Sequence, residues 1–118
     1  MELNLAVIRG PLSSEPELRA LPSGSTVANL AVRAPTAGRA TSVPISVWDP
    51  PAWVSELAEG DDVIVLGAVR RRFYQAGAGT GSRVDVEAVF IGRAGKRQRR
   101  TVAKRMEAAL AELIGELG

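Results

Sequence analysis

Flat aromatic rings and guanidinium groups offer one kind of chemistry when they share a surface. The rings stack on planar groups while the guanidinium forks grip phosphates. In this chain the candidates are Trp48, Tyr74 and the consecutive Arg70, Arg71 and Arg72, with Arg33 and Arg83 as further cations able to line the same groove. Three adjacent arginines repel one another, which favours an anionic partner over a bare strand end. Other residues read differently. Trp53 shares a stripe with Val54 and Leu57 and suits core or cap packing, and Phe73 suits cover for a sheet or an interface. Gly77, Gly79 and Gly81 are not a phosphate cradle, because no Lys-Ser/Thr pair follows them and no helix pattern opens there.

The composition narrows the classes. Among 118 residues there is no cysteine and no histidine, which removes disulfides, thiolate or imidazole zinc sites and Cys- or His-based catalysis. No clustered carboxylates suggest a metal and no nucleophile–base pair is visible. The expectation is a non-enzymatic protein with no metal and no cofactor. The N-terminus has neither a basic region nor a long apolar stretch, and no run is long enough to span a membrane, so a cytoplasmic protein is expected. The net charge of +2 conceals an asymmetry. Residues 1–92 hold eight arginines against ten acids, net −2, whereas residues 93–118 hold seven Lys/Arg against three glutamates, net +4. Locally concentrated charge of this kind attracts a polyanion.

The elements that must position these groups are strands. Residues 3–9 read as a first strand, followed over 11–24 by Pro/Ser/Gly loop chemistry. Residues 26–33 alternate with period two. Residues 34–41 suit a hairpin loop, and Val43, Ile45 and Val47 form a third strand in which Pro44 requires a free edge position or a bulge. Pro50-Pro51 starts a short helix that Gly60 ends. Residues 62–74 form the strongest strand, with Arg71 and Phe73 on one face and Arg70, Arg72 and Tyr74 on the other. The glycine-rich 76–82 read as a flexible loop. Residues 83–91 alternate again, placing Val84, Val86, Ala88 and Phe90 opposite Asp85, Glu87 and Val89. Five strands with a short helix between the third and fourth make an all-β, five-stranded, partly open barrel of the oligonucleotide-binding (OB) type. Ile64 and Leu66 are apolar on the face opposite the core valines, which predicts a buried subunit contact.

The chain divides into a barrel domain over 1–92, a basic linker over 93–100 and an amphipathic helix over 101–118. Lys96, Arg97, Arg99 and Arg100 in the linker are candidate phosphate contacts. In the helix Val102, Met106, Leu110, Leu113, Ile114 and Leu117 recur at spacings of three and four. A helix this short is marginal alone in water. It must pack on the barrel, pair with another subunit or dock a different protein.

Several motifs carry a family resemblance. Glu15-Pro16-Glu17-x-Arg19, Pro22-Ser23-Gly24 and Val27-Ala28-Asn29 follow a first strand ending in Gly10, and Glu56-Leu57, Gly60 and Val63-x-Val65-x-Gly67-x-Val69-Arg70-x-Arg72 come later. Over residues 3–91 this pattern resembles the bacterial single-stranded-DNA-binding protein family. The resemblance implies an OB fold, a homotetramer joined through the first strand (Leu3 and Leu5 here), and single-strand binding without strong sequence preference. It also implies that Trp48 and Tyr74 occupy two of the family's aromatic positions. Other positions depart from the pattern. A family aromatic before strand three corresponds to Ser42, the hairpin at 33–41 has no aromatic, Asp49-Pro50 replaces a Gly-Lys, and the tail is short and basic instead of ending in an acidic tip. The expectation is a weaker and more salt-sensitive binder of single-stranded DNA, serving replication, recombination and repair. Two alternatives stay open: a specialised primosomal or RNA-binding OB protein, and an oligomeric regulatory or structural subunit that has lost strong DNA binding.

Overall fold

The computed structural model describes residues 3–95 and 98–117. The chain forms strands β1 (Ala6–Pro11), β2 (Glu17–Ala20), β3 (Thr26–Thr36), β4 (Arg39–Trp48), β5 (Asp62–Ala76) and β6 (Gly79–Arg93), a 3₁₀ turn at Ala52–Glu56 and a helix α1 (Arg99–Leu117). They make one curled sheet in the order β1-β5-β6-β4-β3-β2, with β4 and β6 parallel and the other pairs antiparallel.

The sheet has six strands where five were expected, because the barrel's first strand is broken in two. Pro11 and Pro16 flank the break, and Glu17–Ala20, expected as loop, resumes pairing against β3. The two halves are the outer strands of the sheet, so the ladder is interrupted between them. An isolated bridge from Leu12 to Val32 and the Ser13 N–H donating to the Ala31 carbonyl at 2.8 Å span the gap. Closure requires β1 to cross β3 backbone against backbone. A Cβ on Gly10 would lie 1.9 Å from the Arg33 carbonyl oxygen, so only glycine fits.

Period two fills the barrel as the alternation predicts: Ala28, Leu30 and Val32 meet Ile45, Val47, Val63, Val65 and Val86 inside. The turn contributes Val54 and Leu57 as a plug, with Trp53 packed against the same core. Pro44 falls where the β4–β6 ladder has not begun, since that ladder covers Ile45 and Ser46, so its missing N–H leaves no β6 carbonyl unpaired. Both hairpins are tighter than expected. The segments read as loops continue the strands, and Gly38 and Gly77 take the positive φ that tight turns at 37–38 and 77–78 require.

Strand β6 contains a bulge. Leu66 pairs with Phe90 but Gly67 pairs with Ala88, which leaves Val89 as an extra residue. The bulge reverses the parity of β6. Val86 and Ala88 face inward before it, with Val84 on the same side but exposed, and Ile91 faces inward after it, so Phe90 does not share their face as strict alternation implies. Phe90 and Gly92 join Leu66 and Ile64 on the outer face. Helix α1 lies against this patch. It begins at Arg99, and Val102 is buried close to Gly92, where a Cβ would lie 3.0 Å from the Val102 side chain. The expectation of a subunit contact at Leu66 is therefore corrected. Leu66 is fully buried within its own chain, and Ile64 is half-buried beside Val102 and Met106. The isolated helix needed a partner, and the barrel supplies it.

Replacing Gly10 with alanine sets a methyl group against a backbone oxygen that cannot retreat without opening the closure. We expect a loss of about 3 kcal/mol in urea unfolding, the upper part of the usual overpacking range. An unchanged midpoint would refute this account of how the barrel closes.

Candidate nucleic-acid interface

The register sets the expected side chains on the outside of the barrel. In β-sheets, paired residues share a face. Asn29 pairs with Ser46, Arg33 with Ser42, Ser46 with Glu87, Arg70 with Asp85, Arg72 with Arg83 and Tyr74 with Gly81. Together with Trp48 they form one outer surface running from β3 across β4 and β6 to β5. Arg71 is not part of it. It pairs with Val84 on the opposite face, where its guanidinium donates to the Ser82 hydroxyl at 3.1 Å. The alternation already separated Arg71 from its neighbours, although charge alone grouped the three.

Both expected aromatics are open to solvent. Trp48 is 42 % exposed and Tyr74 49 % exposed. The Tyr74 ring lies across Gly81, where a Cβ would meet ring atoms at 2.5 Å. The glycine-rich segment, read as a mobile loop, thus supplies the flat seat on which Tyr74 rests. Trp48 ends β4 just before Asp49, which takes a left-handed φ of 46°. That conformation is held by the Asp49 N–H donating to the Thr26 carbonyl at 2.7 Å and by the Asp49 carboxylate accepting from the Thr26 N–H at 3.0 Å. Asp49 therefore reaches, by hydrogen bonding, a conformation that glycine takes freely.

The arginines differ from expectation. Arg72 donates through Nε to Asp85 at 2.7 Å, its guanidinium reaches the buried Ser46 hydroxyl at 3.1 Å, and it lies 5.8 Å from the Trp48 ring centroid. Arg70 donates to Glu87 at 2.6 Å. The Glu87 hydrogen bond, and then its charge, raise the Arg70 pKa further, so it stays cationic at any accessible pH. Two of the three clustered arginines are thus neutralised by β6 carboxylates. The sequence placed Asp85 and Glu87 on the outer face, but only the register sets Asp85 diagonal to Arg72 and Glu87 diagonal to Arg70. Asp85 is almost fully buried, and its second carboxylate oxygen has no protein donor among the described residues. Arg72 therefore acts first as an anchor that holds its guanidinium beside Trp48. Arg70 is half-exposed and keeps N–H donors facing solvent.

Arg33 and Arg83 are exposed on the same face, and neither is in an ion pair among the described residues. Arg83 borders a cleft of about 200 Å³ with Asn29, Ala31 and Pro44, and Glu15 and Glu17 form its other rim. The position of a family aromatic, Ser42, instead shares a 2.7 Å hydrogen bond with Ser13. Of the expected tail contacts, Arg99 and Arg100 are exposed in the first turn of α1, and Lys96 and Arg97 lie outside the described residues. Leu3 and Leu5 are exposed beside β1, along with Val7.

A curled sheet with a capping turn and an outer face of rings and guanidinium groups defines an oligonucleotide-binding barrel. No protein-family model and no curated protein matches the chain. Among the solved structures similar to it are two of the single-stranded DNA binding protein from Thermus aquaticus. The wild-type protein shares 27 % identity with a TM-score of 0.67 over 80 % of this chain. A deletion mutant shares 29 % with a TM-score of 0.65 over 77 %. The chain spans about two-fifths of their length, 41 % and 40 %. The resemblance carried by the motifs therefore extends to the fold, and the chain is like the bacterial single-stranded-DNA-binding proteins.

If Glu87 masks Arg70, Glu87→Gln should strengthen oligo-dT binding at low salt and steepen its dependence on salt by about 0.7 in log–log slope, the value for one further phosphate contact on a single strand. Fluorescence titration across a salt series measures this. An unaltered slope would mean that the pair does not compete with phosphate.

Proposed function

We propose that this chain binds single-stranded DNA without strong sequence preference. Bases stack on Trp48 and Tyr74, and the backbone follows Arg70, Arg83 and Arg33, with Arg72 bracing Trp48. The observation that carries the reading is the exposure of both rings on one outer face of a fold like that of single-stranded DNA binding proteins. The arrangement is that of a binder, with recognition by flat surfaces and cations and no bond-making step. Replication, recombination and repair are the processes that such a binder serves.

The Arg70–Glu87 and Arg72–Asp85 pairs favour a second reading, a structural or regulatory subunit in which binding has weakened, because they remove positive charge from the face that needs it. One titration separates the two, along with the RNA-binding alternative. Oligo-dT, oligo-rU and duplex DNA are each added while Trp fluorescence is followed. Our reading expects oligo-dT to bind tightest, and Trp48→Ala and Tyr74→Ala each to weaken it by roughly tenfold, since one stacked base is worth about 1–3 kcal/mol. Equal or absent binding of all three polymers would favour the structural subunit.

A homo-oligomer, a tetramer by the family resemblance, fits the outer position of β1, whose edge and exposed Leu3, Leu5 and Val7 leave both backbone groups and apolar surface unpartnered among the described residues. Light scattering should give a mass above that of one chain at micromolar concentration, and Val7→Lys should lower it. A wild-type monomer would end this part of the proposal.

A further inference from the structure

Helix α1, the end of β6 and the 3₁₀ turn together bring a second set of rings and arginines beside the sheet face. Arg105 of α1 lies 5.7 Å from the Phe90 ring centroid, and Arg93, at the end of β6, lies 5.1 Å from the Trp53 ring centroid. These two differ from Arg70 and Arg72. Neither is in an ion pair or a side-chain hydrogen bond among the described residues. A guanidinium stacked on a ring is held at low rotamer freedom while its N–H fork points outward, which is the arrangement that grips a phosphate.

Their position connects them to the proposed site. Arg105 and Phe90 border a cleft of about 230 Å³ whose other wall is Trp48. Arg105 also borders the next cleft, about 320 Å³, with Trp53, Arg93, Gln98 and Thr101. The acid on this route, Asp49, already accepts a hydrogen bond from the Thr26 N–H.

We infer that Arg105 and Arg93 form a phosphate-binding extension of the single-strand site, carrying the nucleic-acid backbone from Trp48 over α1 to the Trp53 cleft. This inference rests on the reading of the sheet face as a single-strand binder. It gives α1 a role beyond cover for the barrel, and Trp53 becomes the seat of a cation as well as part of the core.

The test uses the full chain with two oligo-dT lengths, about 6 nucleotides to occupy the sheet face and about 16 to reach beyond it, within the range for one such barrel. The variants are Arg105→Gln, the double Arg93→Gln/Arg105→Gln and the double Lys replacement. For the longer strand, affinity should fall and the log–log salt slope should shrink by about 0.7 for the single and about 1.4 for the double variant. The short strand should be unaffected, and lysine should restore most of the slope. Arg105 is exposed on the helix, so its single variant remains informative if the double variant unfolds. Unchanged binding of the longer strand by folded variants overturns the inference and leaves the sheet site standing, and so does an equal loss for both lengths. A wild-type chain that binds neither strand overturns the sheet site and this extension together.

Discussion

One extra residue in a strand organises this molecule. Because Val89 is inserted opposite the Leu66–Gly67 step, the outer face of β5 and β6 is split into two regions of different chemistry. On one side of the bulge, Ile64, Leu66, Phe90 and Gly92 form an apolar patch, and α1 packs on it with Val102 at Gly92 and Arg105 over Phe90. On the other, Arg70, Arg72, Tyr74 and Glu87 form a polar and aromatic face that reaches solvent, with Asp85 buried beneath Arg72. Gly67 makes the bulge possible, since a Cβ there would lie 2.2 Å from the Glu87 carbonyl oxygen. Without the shift in parity, Phe90 would enter the barrel and Ile91 would leave it, so core filling, helix docking and the site all depend on this one irregularity.

Two populations of arginine follow. Arg70 and Arg72 face carboxylates across the β5–β6 ladder, and Arg72 gains rigidity from Asp85 and Ser46 at the expense of free charge. Arg93 and Arg105 face rings, which orient a guanidinium without neutralising it. The same residue type thus serves as a brace in one place and as an accessible cation in the other. The difference is the partner, a full negative charge in one case and a ring quadrupole in the other.

Much was legible from residue types and spacing. Strict alternation located the long strands and, outside the end of β6, their inward faces, because a period of two admits only one way of burying valines. The exposure of Trp48 and Tyr74 and the packing of Trp53 could be read from the same alternation and from a change to helical period. The absence of cysteine and histidine excluded whole classes of chemistry on its own.

What the tertiary structure decided was everything that depends on which strand lies beside which. Asp85 and Glu87 looked like ordinary outer-face acids until the register set them against Arg70 and Arg72. At the bulge the alternation gives way to four consecutive apolar residues, Ala88 to Ile91, which do not show where the parity changes, so extending the alternation puts Phe90 on the wrong face. Leu66 lies on the outer face, where alternation implies exposure, yet it is fully buried beside Phe90, its partner across the ladder, and the nearby Gly92 takes its cover from a helix later in the chain. Local sequence sets which way a side chain points from its own strand. The identity of its neighbour is a long-range property, fixed only when the sheet curls and the chain's end folds back onto it.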